Sequence, residues 1–406
     1  MEGAVFCVTQ NEYGNRCSEL RIAIFDYKIV ATNPIGSCHL RLLRDLAAEH
    51  QFTVFAADFD NPWPEKIEWV RIPVPTRPLA LLFVLYHVLA PLAYLLYRMR
   101  TRVRFDLVQM VESNLSFGDV SYSHFCHTAY LNEHWTANRG HGLRRVLRWL
   151  DHRLHAWLES RTYRRAHKIL VPSRGLGSEL VREFPFTSQK VSVLPNAIDV
   201  DRLEPPGDFD RADVRARLGF TDDDTVFVFV ALGQFERKGL PLLLEALSRL
   251  PSSRANLIVV GGEPDLIASY RPEVARLGLD RNVVFAGMQS DVRPFFWASD
   301  AFAFPSAYET FSLVSYEAAA AGLPVIAPRL NGIEDLVRDG DNGVVIARTV
   351  EGVAQGLNRF LGLSETLRRE MGRRARTAAA QYNQACFSER WRAFYQDWMS
   401  AQVNRI

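Results

Sequence analysis

The segment Ala301–Pro328, "AFAFPSAYETFSLVSYEAAAAGLPVIAP", sets out a strand, a loop, a helix and a second strand in one short span. "AFAF" is strand-like and runs into Pro305, which cannot donate to a sheet ladder, so a loop begins there. Thr310 or Ser312 can cap a helix over "LVSYEAAAA", because either hydroxyl can accept a first-turn N–H. Gly322 tolerates the left-handed conformation that ends a helix, and Pro324 leads into the strand "PVIA". The helix start leaves unpaired amides from about Phe311 to Val314, a ready site for a phosphate. Glu309 stands before this helix and Glu317 about one turn inside it. The helix dipole alone favours acidic groups there; an ionised glutamate can also accept hydrogen bonds from a diol such as ribose.

The same alternation extends outward in both directions. Apolar runs at Leu20–Phe25, Phe52–Ala57, Asp106–Met110, Val120–Phe125, Lys168–Val171 and Val191–Leu194 read as strands separated by helical patterns. The first is followed by a loop holding Pro34 and Gly36, then by a helix from Ser37 to His50. A second series starts at Val226–Val230 and continues through Asn256–Val260, Val283–Phe285, Ala301–Phe304, Val325–Ala327 and Gly343–Ile346. Strand–helix alternation predicts parallel α/β sheets, with ligands outside the carboxyl ends of the strands. Pro205, Pro206 and Gly207 mark the best linker. At 406 residues the chain exceeds one ordinary core. The expected division is 1–202, 203–375, and C-terminal helices over 376–406 that cross back to the first domain.

Bulk properties narrow the class. Hydrophobic content of 48% with 23% charged residues describes a globular chain, and a net charge of +2 offers no general attraction to nucleic acid. Five scattered cysteines without a Cys-x-x-Cys pair argue for a reducing compartment and against a zinc site. Met1–Leu20 is mixed and polar, so a secretory leader is not expected. No Gly-x-Gly-x-x-Gly follows any strand, which counts against a dinucleotide oxidoreductase.

Three further stretches carry chemistry. "VALGQFERKGLPLLLEAL" (Val230–Leu247) leads from a strand through Gly233 and Gln234 to Arg237, Lys238 and Gly239, placing a cation for phosphate at a loop tip. It is not a Walker A loop, because Gly-x4-Gly-Lys-Ser/Thr is absent. "VSYSHFCHTAYL" puts His124 and His127 at a strand end, and "VSVLPNAID" puts Asn196 at another. Taken alone, each is commonly a structural residue.

Together with Glu309 and Glu317, these stretches resemble the retaining glycosyltransferases of family 4. Glu309-x7-Glu317 matches the family's Glu-x7-Glu signature, "PNAID" its Pro-Asn-Gly-Val-Asp segment and "RKG" its Arg/Lys-Gly loop. The resemblance covers roughly residues 20–395. It implies the GT-B fold: two Rossmann-like domains facing across a cleft. It further implies that Lys238 contacts the donor diphosphate and Glu317 the ribose. Glu309 would contact the donor sugar, with the amides of Phe311, Ser312 and Leu313 around it. His127 would lie near the reacting sugar, and the loop at Gly36 would face acceptor and diphosphate. Gln234 stands where the family has an arginine, so one charge on the diphosphate is missing or Arg237 supplies it, and Asn196 belongs to the same donor set. A UDP- or GDP-sugar donor and a glycan or polyprenyl-linked acceptor follow, with no metal and no separate cofactor. The corresponding role is transfer with retention in bacterial cell-surface polysaccharide biosynthesis. The alternative is a non-catalytic nucleotide- or glycan-binding member of the same fold.

One segment complicates a purely soluble picture. Leu79–Tyr97 is uncharged over a length close to that of a membrane span and is followed by Arg98, Arg100, Arg102 and Arg104. It fits a buried helix, a helix docked on an anionic membrane face, or a span. Residues 138–168 carry nine Lys/Arg against two acids, a net +7 within a chain of net +2. A cytoplasmic protein at the inner membrane face is the expectation, with contact through 79–104 and 138–168.

Overall fold

The structure is a computed structural model that describes residues 19–75, 79–135, 142–250 and 255–403. It comprises two compact units: Met1–Ala197 with Gln384–Ile406, and Ile198–Asn383.

The first unit holds a seven-stranded parallel sheet. Its strands run, edge to edge, Ile67–Arg71, Gln51–Ala56, Arg21–Phe25, Leu107–Val111, Val120–Tyr122, Lys168–Val171 and Val191–Val193. Central strands such as "LVQMV" are buried throughout, as a sheet covered on both faces requires. Strand Ile67–Arg71 was not expected. Its sequence, "IEWVR", buries only Ile67 fully, as suits an edge strand with half its surface wet.

The second unit holds six parallel strands in the order Val283–Gly287, Ala255–Val260, Thr225–Val230, Ala301–Ala303, Val325–Pro328 and Gly343–Ile346. In chain order this is 3-2-1-4-5-6, the doubly wound Rossmann arrangement. The order in which strands are added reverses between Thr225–Val230 and Ala301–Ala303, which pair directly and in parallel. The crevice at their carboxyl ends is where such a sheet binds ligands.

The units do not divide at the Pro-rich stretch. Asn196 is held in the first unit, its Oδ1 accepting from the Tyr122 hydroxyl at 2.6 Å. Ile198 already donates its amide to the Tyr382 carbonyl of the second, and Leu203 is buried there, its carbonyl accepting from the Trp297 indole at 2.8 Å. At the C-terminal end, helix Glu365–Ala380 stays with the second unit; a β-carbon on its Gly372 would lie 2.2 Å from the Gly322 carbonyl oxygen. Helix Gln384–Val403 alone joins the first. There it buries Trp391, and its Tyr395 hydroxyl donates to Gln109 at 3.0 Å.

Candidate active site

Lys238 and Glu309 hang from the carboxyl ends of the two strands that flank the switch point of the second unit. Lys238 closes a one-turn helix, Phe235–Lys238, and Glu309 sits in the loop after Ala301–Ala303. Lys238 Nζ donates to Glu309 Oε1 at 2.6 Å, and Ser306 Oγ donates to the same oxygen at 2.7 Å. The pair is mostly enclosed, with side-chain exposures of 18% and 9%. Burial pushes the Lys238 ammonium below its ordinary pKa, while the Glu309 carboxylate pulls it back up. Lys238 also lies over the Phe304 ring, 5.1 Å from its centroid.

The backbone locks these two loops together. Gly239 has φ +89, and a β-carbon there would fall 2.1 Å from the Pro305 carbonyl oxygen. The Arg237 carbonyl joins the same seam, its oxygen accepting from the Ala307 amide at 2.8 Å. The Arg237 guanidinium donates to the Tyr308 carbonyl at 2.9 Å and to Gln234 Oε1 at 2.7 Å. Arg237 therefore braces the two loops while keeping further guanidinium N–H groups beyond these two bonds. Gln234 itself is exposed and left-handed, with φ 54.

Helix Leu313–Ala320 begins beside this pair. Ser312 is its N-cap in the left-handed region, φ 66, but makes no side-chain cap; its hydroxyl meets that of Ser315 at 2.8 Å. Thr310 is not the cap residue. The helical ladder begins with the Ser315 amide on the Ser312 carbonyl, so the amides of Leu313 and Val314 precede it. Phe311 turns inward and stacks on Tyr316 at 4.1 Å, leaving only its backbone for a ligand. Glu317 is half-buried one turn inside.

In the first unit, His127 opens a short helix, and Glu159 accepts its amide at 2.5 Å. Its ring stacks on His155 at 4.3 Å, its Nδ1 lies 2.9 Å from His152 Nδ1, and its Nε2 lies 4.0 Å from Glu112. Burial lowers its pKa to about 3, so it is a neutral imidazole at pH 7. The two facing Nδ1 atoms require one donor and one acceptor, hence opposite tautomers.

Asp26 and Glu112 follow the two strands at the switch point of this first sheet, Arg21–Phe25 and Leu107–Val111. Burial, then the Glu112 charge, raises the Asp26 carboxyl to about 8; burial also raises Glu112, which has φ 49. Asn114 Nδ2 donates to Asp26 at 3.1 Å. Ser113 Oγ, Asn114 Oδ1, His124 Nδ1 and His155 Nδ1 are buried without a hydrogen-bond partner. Sequence reasoning passed over Asp26 and Glu112, although each is the first polar residue after an apolar strand.

Gly36 is not in a loop. It lies in the first turn of helix Pro34–Leu46, where Asn33 Oδ1 accepts from the Ile35 and Gly36 amides. A β-carbon there would come 2.8 Å from the Val30 nitrogen, so its smallness serves packing. Asn196 likewise has a structural partner set: its Oδ1 faces His124 Nε2 at 3.1 Å besides accepting from Tyr122. Among the described residues, Glu133, His134 and Glu179 bring possible metal-ligand atoms within 4.8 Å of one another. Arg182 already pairs with Glu133 at 2.8 Å, which opposes a cation there.

The family profile for Glycosyltransferase Family 4 matches residues 36–202, and that for Glycosyl transferases group 1 matches residues 225–362. The chain belongs to the family 4 glycosyltransferases. This family 4 chain is 33% identical over 224 residues to D-inositol 3-phosphate glycosyltransferase of Nocardia farcinica, covering 52% of this chain and 48% of that protein. It is 32% identical over 177 residues to the lipopolysaccharide core biosynthesis glycosyltransferase LpsE of Rhizobium meliloti, covering 43% and 51%. The matched part thus spans about half the length of these curated relatives. In fold, the family 4 chain is similar to WaaG, a glycosyltransferase involved in lipopolysaccharide biosynthesis, with a TM-score of 0.70, 21% identity and coverage of 91% and 98%. It is similar also to Anabaena HepE in complex with UDP and glucose, with a TM-score of 0.68, 19% identity and coverage of 93% and 100%. The fold is therefore GT-B.

Proposed function

We propose that this chain transfers a sugar, with retention, from a UDP- or GDP-sugar to a glycan or lipid-linked saccharide acceptor in bacterial cell-surface polysaccharide assembly. The observation that carries it is the enclosed Lys238–Glu309 pair beside the start of helix Leu313–Ala320. A cation and helix amides at one switch point suit a diphosphate leaving group, whose charge grows as the glycosidic bond breaks. Glu317 would hold the ribose and Glu309 the donor sugar. Neutral His127 can offer a hydrogen bond to a sugar hydroxyl without a competing charge. The unused hydrogen-bonding capacity of Asn114 and His124 fits a hydroxyl-rich ligand as well. The UDP found with HepE and the lipopolysaccharide roles of LpsE and WaaG support this donor and acceptor class. A cytoplasmic place at the inner membrane face follows from such substrates.

The test is a thermal-shift panel of UDP, GDP, ADP and their sugars, followed by product analysis with the sugar that shifts the midpoint most. A raised midpoint with a nucleotide sugar and an axial or equatorial linkage matching the donor's supports the proposal. Binding without transfer to any polyprenyl-linked or glycan acceptor would establish the non-catalytic alternative instead.

A further inference from the structure

Helices Leu79–Thr101 and Gly142–Arg165 meet in the first unit, where the Phe83 and His155 rings lie 3.7 Å apart. The first helix has two unlike faces. Phe83, Tyr86 and Ala90 are buried, and the Tyr86 hydroxyl donates to the Phe55 carbonyl at 2.6 Å. Leu81, Val84, Val88, Leu92, Leu95 and Met99 recur at helical spacing on the other side, 44–68% exposed. The second helix exposes Val146, Leu147, Trp149, Leu150 and Trp157. Among the described residues, twelve of the eighteen exposed large apolar side chains lie on these two helices. Ordinary surfaces scatter such residues singly, so this concentration calls for a partner.

Charge identifies the partner. Arg98, Arg100, Arg102 and Arg104 are exposed at the end of the first helix, and Arg145, Arg148 and Arg153 on the second. No acidic residue occurs between positions 79 and 105. A second copy would bring the same patch against itself under two-fold symmetry, setting arginines against arginines. A core helix is ruled out because only 22% of the most apolar window is buried. A span is ruled out because the Phe83–Tyr86–Ala90 face is already packed on its own sheet and is not available to lipid. What suits an apolar stripe bordered by cations is the boundary between acyl chains and anionic headgroups, where tryptophan also settles.

We propose that the outward faces of Leu79–Thr101 and Gly142–Arg165 together form a docking surface for an anionic bilayer, with both helices lying in the interface plane. This surface belongs to the first unit and the Lys238–Glu309 pair to the second, and the proposal holds whether or not the chain transfers sugar.

Co-flotation of the full chain tests it, using equimolar phosphatidylglycerol–phosphatidylcholine vesicles beside pure phosphatidylcholine. The protein should float with the anionic vesicles at low salt and remain dense with the neutral ones. The triple variant Arg98→Gln/Arg100→Gln/Arg102→Gln should bind about a hundredfold more weakly, at roughly fivefold per surface cation. The variant Leu92→Ser/Leu95→Ser should lose the binding that persists at high salt. Both alter exposed side chains, so circular dichroism and melting temperature should match the parent. Three results would overturn the proposal. The parent could stay dense with anionic vesicles at low salt. It could form a dimer that Leu92→Ser/Leu95→Ser abolishes, without floating. It could resist extraction from membranes by alkaline carbonate, as a span would.

Discussion

Gly239 and Pro305 touch backbone to backbone: a β-carbon on Gly239 would lie 2.1 Å from the Pro305 carbonyl oxygen. This contact sets the distance between the Lys238 loop and the Glu309 loop. Gly239→Ala should therefore cost about 3 kcal/mol, combining left-handed strain with overpacking against backbone that cannot yield. It should also weaken nucleotide binding, since Lys238 is the preceding residue. Urea unfolding and UDP titration check both; an unchanged midpoint would mean that the two loops are not coupled.

Glu309 and Lys238 share one oxygen–nitrogen contact of 2.6 Å. A bound diphosphate would compete with Glu309 for the ammonium. Glu309→Gln keeps the shape but releases Lys238 from its carboxylate. UDP affinity should stay within about threefold or increase, while sugar transfer falls by roughly a hundredfold, the scale of one lost transition-state contact. Lys238→Ala should do the opposite to binding. It leaves Glu309 enclosed without its counter-ion, so stability should fall by about 3 kcal/mol. Isothermal titration beside initial rates separates these outcomes. Equal losses of UDP affinity in both variants would count against the assigned roles.

Glu317 stands half-buried one turn inside helix Leu313–Ala320. If it accepts the ribose hydroxyls, Glu317→Ala should weaken UDP by about tenfold or more, the scale of a hydrogen bond to a charged group. Inorganic diphosphate binding should be unaffected, because it lacks the ribose. A variant that loses UDP and diphosphate affinity alike would mean that Glu317 supports the helix start rather than the sugar.

The parts that were legible before the structure share a physical basis. Apolar runs bounded by Gly and Pro predicted the two parallel sheets, since a buried parallel strand leaves no alternation to obscure it. That Lys238 and Glu309 share a donor site was legible only as a resemblance, and their direct contact was not foreseen, because the two lie 71 residues apart and chain spacing carries no distance. Pro34 was misread as part of a loop. Asn as N-cap and Pro in the first turn is a helix start, yet Gly36 drew attention as a loop residue. Arg237 entered through the resemblance, as a possible substitute for the arginine absent at Gln234, while its partners, Gln234 Oε1 and the Tyr308 carbonyl, become visible only once the loop folds. Asp26 and Glu112 were missed because each is a lone acid in sequence; their coupling arises from the pairing of Arg21–Phe25 with Leu107–Val111.

That coupling makes a prediction in pH. Folded Asp26 keeps its proton up to about pH 8, whereas its ordinary pKa is 3.8. Between these values the unfolded chain binds fewer protons, so this group lowers stability as pH rises. Glu159, raised by burial to about 8, acts in the same direction. His127 acts in the opposite one: its folded pKa is about 3 against an ordinary 6.5, so stability rises with pH across that window and levels off above it. Above pH 6.5 the carboxyl slope is unopposed by the histidine, and melting temperature should fall from there to pH 8. Asp26→Asn retains the shape of the protonated acid and does not titrate. Its profile should be flatter than the parent's over that interval by about 1–2 kcal/mol, the linkage for one proton across 1.5 pH units. Melting curves of both proteins at half-unit steps decide it, and parallel profiles would mean that Asp26 is ionised in the folded chain.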